Sequence, residues 1–102
     1  MEKEELIAKM FKALGHPIRF KIVLFLLDGR KCVCELNGNI EFSQANLSQH
    51  LKILKDAGIL SSEREGPKIF YSLRNNDIKK MVHCADEFLV NYVKSLSDNF
   101  QK

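Results

Sequence analysis

Apolar positions along the chain change their period from one segment to the next, and the changes divide it into short helices, one hairpin and a long last helix. Over residues 3–14, Leu6, Ile7, Met10, Phe11 and Leu14 share one helical stripe, which Gly15-His16-Pro17 ends. Pro17 suits the first turn of a new helix, because its missing N–H has no partner to lose there. That second helix, predicted over 18–28 and closed by Asp28-Gly29, is almost wholly apolar from Ile22 to Leu27, so it belongs at the buried centre. A shorter segment, Val33–Asn37, leads through Gly38-Asn39 and Ile40 to a helix over 43–58, giving helix, turn, helix over about 33–57. Two β-rich runs, Leu60–Glu65 and Lys68–Leu73, then flank Gly66-Pro67, with Ile69, Tyr71 and Leu73 alternating on one face, the pattern of a β-hairpin. A last helix over about 76–97 carries a broad stripe that includes Ile78, Met81, Ala85, Phe88, Tyr92 and Val93.

The order predicts a mainly α chain with a β-hairpin wing (α+β), a winged helix-turn-helix in which residues 1–102 form one domain. Helices 3–14 and 76–97 carry more apolar surface than the rest of so short a chain can cover. An exposed patch of that size marks an interface, so the two helices are expected to pair across a two-fold axis as a homodimer.

Within the helix over 43–58 the two faces separate cleanly. Leu47, Leu51 and Leu54 fall at i, i+4 and i+7, while the other side shows Gln44, Asn46, Ser48, Gln49 and Lys52, with no carboxylate between Phe42 and Lys55. A helix entering the major groove passes close to phosphates, which repel acidic side chains; amides can pair with an adenine edge, and hydroxyls donate or accept. Ser43 is placed as the N-cap and Gly58 just past the last turn. At the hairpin tip Arg64 and Lys68 are placed to touch the sugar-phosphate backbone, provided that Glu63 and Glu65 point elsewhere or are neutralised.

Composition agrees without adding much. A 45% hydrophobic fraction with 28% charged residues describes a globular protein, and net charge +3 permits nucleic-acid binding. The basic excess lies in residues 43–74. The longest apolar run, Ile22–Leu27, is far short of the ~20 residues needed to cross a bilayer. The acidic, amphipathic start MEKEELIAK is no secretion signal, so a cytoplasmic location is expected. Three cysteines in such a chain argue against a disulfide framework and for free or ligand-binding thiols.

Together, FKALGHPIRFKIVLFLLDG, SQANLSQHLKILKDAGIL, REGPKIFYSL and the amphipathic last helix resemble the ArsR/SmtB family of winged-helix repressors, from about Phe11 to Leu96. The resemblance implies a dimer on double-stranded operator DNA, with recognition helices in successive major grooves and a ligand that changes operator affinity. No membrane or small-molecule substrate is implied as a partner, and no cofactor is required. Carried onto this chain, the DNA contacts are Ser43, Gln44, Asn46, Ser48, Gln49 and, on the wing, Arg64 and Lys68; Lys52 joins them from the face pattern above.

Cys32-Val33-Cys34-Glu35-Leu36 resembles the metalloid and heavy-metal site of the arsenic, antimony, cadmium and lead responders of that family. Two thiolates suit a soft ion such as As(III), Sb(III) or a soft divalent metal. Positions i and i+2 of a regular helix point about 200° apart, so both sulfurs reach one ion only if the helix start is distorted. That distortion would make the site a switch. The arsenic responders have a further cysteine where this chain has Asn37; the lead and cadmium type uses N-terminal cysteines, and none precedes Cys32. Cys84 on the last helix is the remaining thiol and a possible third ligand. A zinc site on that helix is rejected, because His83 and Glu87 are followed by no second histidine.

Other readings stay open. The thiols could form a reversible disulfide or polysulfide and sense oxidants or sulfide, or all three could be small buried hydrophobes. A winged helix used only for protein contacts is a further alternative. An enzyme is not indicated: no phosphate loop, nucleophile with a histidine partner or paired carboxylates stand out, and His16, His50 and His83 fall in separate elements. His16 is expected to cap or pack in its turn, and His50 to be hydrogen-bonded inside the domain.

Overall fold

A computed structural model describes residues 2–42 and 46–100. Helix α1 (Lys3–Leu14) and helix α2 (Pro17–Phe25) meet at His16, whose Nδ1 accepts the Ile18 N–H at 3.1 Å, while Pro17 takes the first helical position. Helix α2 is shorter than its apolar run suggests. Beyond Phe25 the chain tightens: the Leu26 N–H reaches both Ile22 and Val23 carbonyls at 3.1 Å, and the Gly29 N–H reaches Leu26. Hydrophobicity continues past the helix end because Leu26 still faces the core.

Next come strand β1 (Lys31–Cys32), helix α3 (Val33–Asn37), a 3₁₀ turn (Ile40–Phe42) and helix α4 (Leu47–Asp56). Strands β2 (Leu60–Glu65) and β3 (Lys68–Leu73) and helix α5 (Asn76–Phe100) complete the chain. The sheet is antiparallel in the order β1-β3-β2, with Cys32 opposite Phe70 and Glu63 opposite the same residue on the other side. Strand β1 was not foreseen from the sequence: two residues are too few to show a period. Gly66, at φ +60, opens the two-residue turn between β2 and β3, the position where a type II′ hairpin turn wants glycine.

Helix α4 starts at Leu47 with Asn46 as its N-cap, so the expected start at Ser43 is corrected; residues 43–45 lie outside the described residues. Its far end is a Schellman turn. The Ile59 N–H bonds the Leu54 carbonyl and the Gly58 N–H that of Lys55, both at 3.0 Å, with Gly58 at φ +82. Leu54 and Ile59, which such a turn brings together, are both fully buried.

One apolar cluster collects Ile22, Val23 and Leu26 of α2, Leu36 of α3, Phe42, Leu47, Leu51 and Leu54 of α4, and Ile59, Leu60 and Ile78. Burial of each such side chain contributes about 1.5–3 kcal/mol before the entropy of ordering it. Helix α5 takes little part: among its described side chains only Ile78 is buried, and Phe88, Leu89, Val90, Tyr92 and Val93 are each more than half exposed. At about 1.5 Å per residue it runs some 37 Å. The radius of gyration is accordingly 16.1 Å, against about 13 Å for a compact chain of this length. Among the described residues no helix is long and apolar enough to cross a membrane.

Arg19 holds the first helices to α4. Its Nε donates to the Ala13 carbonyl at 2.6 Å and its Nη2 to Lys12 at 3.3 Å, satisfying the end of α1. Its Nη1 lies 3.4 Å from His50 Nδ1. A guanidinium can only donate, so that nitrogen is the acceptor and the imidazole is neutral in this arrangement. The His16 ring packs on His50 at 4.6 Å between centroids. Burial first, then the charges of His16 and Arg19, lower the His50 pKa below the ordinary 6.5. A histidine held neutral in the fold takes up a proton more readily when unfolded, so its contribution is complete above the ordinary value and lost as pH falls below it. Urea-induced unfolding should therefore show stability falling between about pH 7.5 and about pH 5, and His50→Gln should flatten that dependence.

Candidate functional site

The outer face of α4 exposes Ser48, Gln49 and Lys52 opposite its buried leucines, and its exposed positions carry no carboxylate before Asp56. Asn46 is partly committed to the backbone. Its Oδ1 accepts the Gln49 N–H at 3.5 Å, and its Nδ2 donates to Gln49 Oε1 at 3.2 Å. The pair therefore orders the first turn of α4. Ser43 and Gln44 lie outside the described residues. At the other end, Lys55 Nζ donates to Ser62 Oγ at 2.8 Å, joining α4 to the wing.

Residues opposite one another in antiparallel strands share a face. One face of the wing holds Ser62 and Arg64 with Tyr71 and Ile69; the other holds Glu63 and Glu65 with Phe70 and Lys68. Arg64 and Lys68, both exposed, thus occupy opposite faces of the hairpin and not one joint patch. The Ser62 and Arg64 face is the one that Lys55 of α4 touches.

The carboxylates on the other face have a partner that sequence reading missed. Arg30 donates to both Glu65 oxygens, at 2.8 and 3.2 Å, and approaches Glu63 at 3.6 Å. Its guanidinium sits 4.1 Å from the Phe70 ring centre. The hydrogen bonds and charge of Arg30 hold the Glu65 carboxylate below its usual range, and Glu65 in turn raises Arg30. Thirty-five residues separate the pair, so no local pattern could have announced it. Only the pairing of β1 with β3 brings Arg30 to the wing.

Cys32 ends β1 and caps α3, with extended backbone angles (φ −68°, ψ 148°), while Cys34 is already helical. The two sulfurs are joined as a disulfide, the Cα atoms 5.1 Å apart. This corrects the expectation of free thiols for this pair; Cys84 is free and exposed. It also removes the premise that the sulfurs diverge, since the separation expected of i and i+2 applies only when both residues are helical. Here the strand-to-helix joint turns them together without unwinding. The Cys34 N–H donates to Cys32 Sγ at 3.0 Å, and the Cys32 N–H to Glu35 Oε1 at 3.2 Å, a capping box. Cys32 is buried, whereas Cys34 is exposed, so the reading of all three cysteines as buried hydrophobes fails. Among the described residues of one chain, no three of His, Cys, Asp and Glu come together as a metal-holding group, and Cys84 does not join the pair. His83 and Glu87 form an exposed i, i+4 pair at 3.6 Å.

Residues 16–62, from the cap of α2 into β2, match the family described as bacterial regulatory protein, arsR family. An HTH-type transcriptional regulator of Methanocaldococcus jannaschii is 39% identical over 88 residues, covering 85% of this chain and 99% of its own. A CadC homologue of Staphylococcus aureus, a cadmium resistance transcriptional regulatory protein, is 42% identical over 80 residues, covering 78% of this chain and 66% of its own. The crystal structure of Rv0081 from Mycobacterium tuberculosis superposes with a TM-score of 0.79 at 33% identity, over 90% of this chain and 94% of that one. Its fold and these relatives identify the chain as a member of the ArsR/SmtB family of winged helix-turn-helix transcriptional regulators, which bind DNA and are not enzymes.

Proposed function

We propose that the chain acts as a homodimeric repressor whose operator affinity falls when a thiophilic metalloid or soft metal ion, As(III) or Sb(III) foremost, takes Cys32 and Cys34 as ligands. The observation that carries this reading is the convergence of both sulfurs at the joint between β1 and α3. On one side of that joint Cys32 is paired with Phe70 of the wing; on the other α3 begins the helix-turn-helix. A change in the sulfur spacing therefore acts on both DNA-facing elements. The sensing form is the dithiol, since a disulfide offers no thiolate to a soft ion. Glu35 is engaged by the Cys32 N–H and Asn37 is a hard amide, so a third ligand comes from outside this segment, either Cys84 as placed in the dimer or a small thiol. The cadmium resistance relative is in keeping with a metal inducer.

The disulfide supports a second reading, in which an oxidant is the signal. Hydrogen peroxide would take two electrons from the dithiol, forming the Cys32–Cys34 bond and two waters.

On operator DNA, Ser48, Gln49 and Lys52, with Ser43 and Gln44 ahead of them, meet base edges and phosphates, while Asn46 mainly holds the helix start. Arg64 and Lys68 serve the wing. The second copy covers Leu6, Ile7 and Phe11 of α1 and the apolar stripe of α5. An open groove between α2 and α5, lined by Phe20, Leu24, Val82 and Leu89, continues that apolar face.

Fluorescence anisotropy on a duplex selected by the protein from a random pool should show affinity falling about 10³-fold between about 50 and 200 mM salt. Gln49→Ala should weaken the selected site by about tenfold or more while leaving mixed-sequence DNA nearly unchanged. Arsenite added to the reduced complex should release the DNA, and Cys32→Ser or Cys34→Ser should abolish release; release by peroxide alone would establish the redox reading instead. Sedimentation should give a dimer, and Tyr92→Glu with Val93→Glu a monomer.

A further inference from the structure

We infer that Arg30 is a positioning residue for DNA binding, one that makes the wing electrostatically compatible with the phosphate backbone without contacting it. The wing carries two carboxylates, Glu63 and Glu65, within three positions of the turn and beside its cations Arg64 and Lys68. Left unpaired, these acids would cancel the field of those cations at the distance of a phosphate, where salt screens only beyond about 8–10 Å. Arg30 removes that obstacle in two ways. Its fork engages both Glu65 oxygens and reaches Glu63, and with Lys68 on the same face it balances the two acids there. Its position over Phe70 fixes the face on which this happens, opposite Ser62 and Arg64. The strand register leaves the other side, with Arg64 and no acid, toward α4, to which Lys55 and Ser62 tie it. Arg30 itself is anchored one residue before β1, so the pairing of β1 with β3 keeps the guanidinium at the wing.

The test is a double-mutant cycle read by anisotropy on a labelled mixed-sequence duplex, because the backbone term does not depend on sequence. Arg30→Ala should weaken binding about tenfold at about 50 mM salt, with the loss fading as salt rises toward about 0.5 M. Glu63→Gln with Glu65→Gln should bind at least as tightly as the parent, and adding Arg30→Ala to that pair should change affinity by less than about twofold. An equal loss in both backgrounds would mean that Arg30 acts on DNA through its own charge or contact and not through the acids, and no loss in either would mean that wing charge does not reach the phosphates; each result overturns the inference. A loss that persists at high salt would also overturn it, by placing the effect in folding.

Discussion

The recognition helix exists because of the apolar cluster on which it lies. Helices α3 and α4 have five and ten residues, lengths at which an isolated helix is not stable in water. What holds them is the burial of Leu36, Leu51 and Leu54 against Ile22, Val23 and Leu26 of α2. The same contact sets the wing. Leu54 and Ile59 are buried together at the Schellman turn, so the direction in which the chain leaves α4 and enters β2 is decided by the core. Arg74 closes the other end of the hairpin onto this turn: its N–H bonds the Ile59 carbonyl at 2.9 Å, and its guanidinium bonds Gly58 and Leu60 at 3.1 and 3.2 Å. Reading face and wing are thus two outgrowths of one packed unit.

Upon that unit charge is partitioned by face. The solvent side of α4 is free of carboxylates before Asp56, and the adjoining side of the hairpin presents Ser62 and Arg64. The acids of the wing stand on the opposite side, under Arg30. The period of two along a strand produces this sorting from the alternation Ser62, Glu63, Arg64, Glu65, because neighbours in a strand cannot share a face. Within the recognition helix the Asn46–Gln49 pair shows a comparable division of work, one amide completing the helix start and the other remaining exposed beside it.

The thiol pair lies where these two outgrowths meet. Cys32 is at once a strand residue, opposite Phe70, and the cap of α3, and its extended backbone brings its sulfur to that of Cys34. The joint reaches both the hairpin and the helix-turn-helix without passing through the core, since β1 pairs with β3 and α3 begins there. Helix α5, by contrast, belongs to the core only through its first turns; its exposed apolar length is the part of the molecule least explained by the chain alone.

Periodicity and punctuation in the sequence were enough to determine α1, the hairpin, α5, the buried leucines of α4 and the motif that marks the family, because each depends on residues within a few positions of one another. Gly58 and Gly66 were legible for the same reason: a positive φ is a local demand. The start of α4 was misplaced because Ser43 and Asn46 are both good caps, and only docking of the leucine stripe selects between them. Strand β1, the Cys32–Cys34 contact and the Arg30 clamp were decided by tertiary structure alone. Each follows from one long-range event, the pairing of residues 31–32 with 70–71, whose stability comes from distant partners and leaves no period in so short a run of sequence.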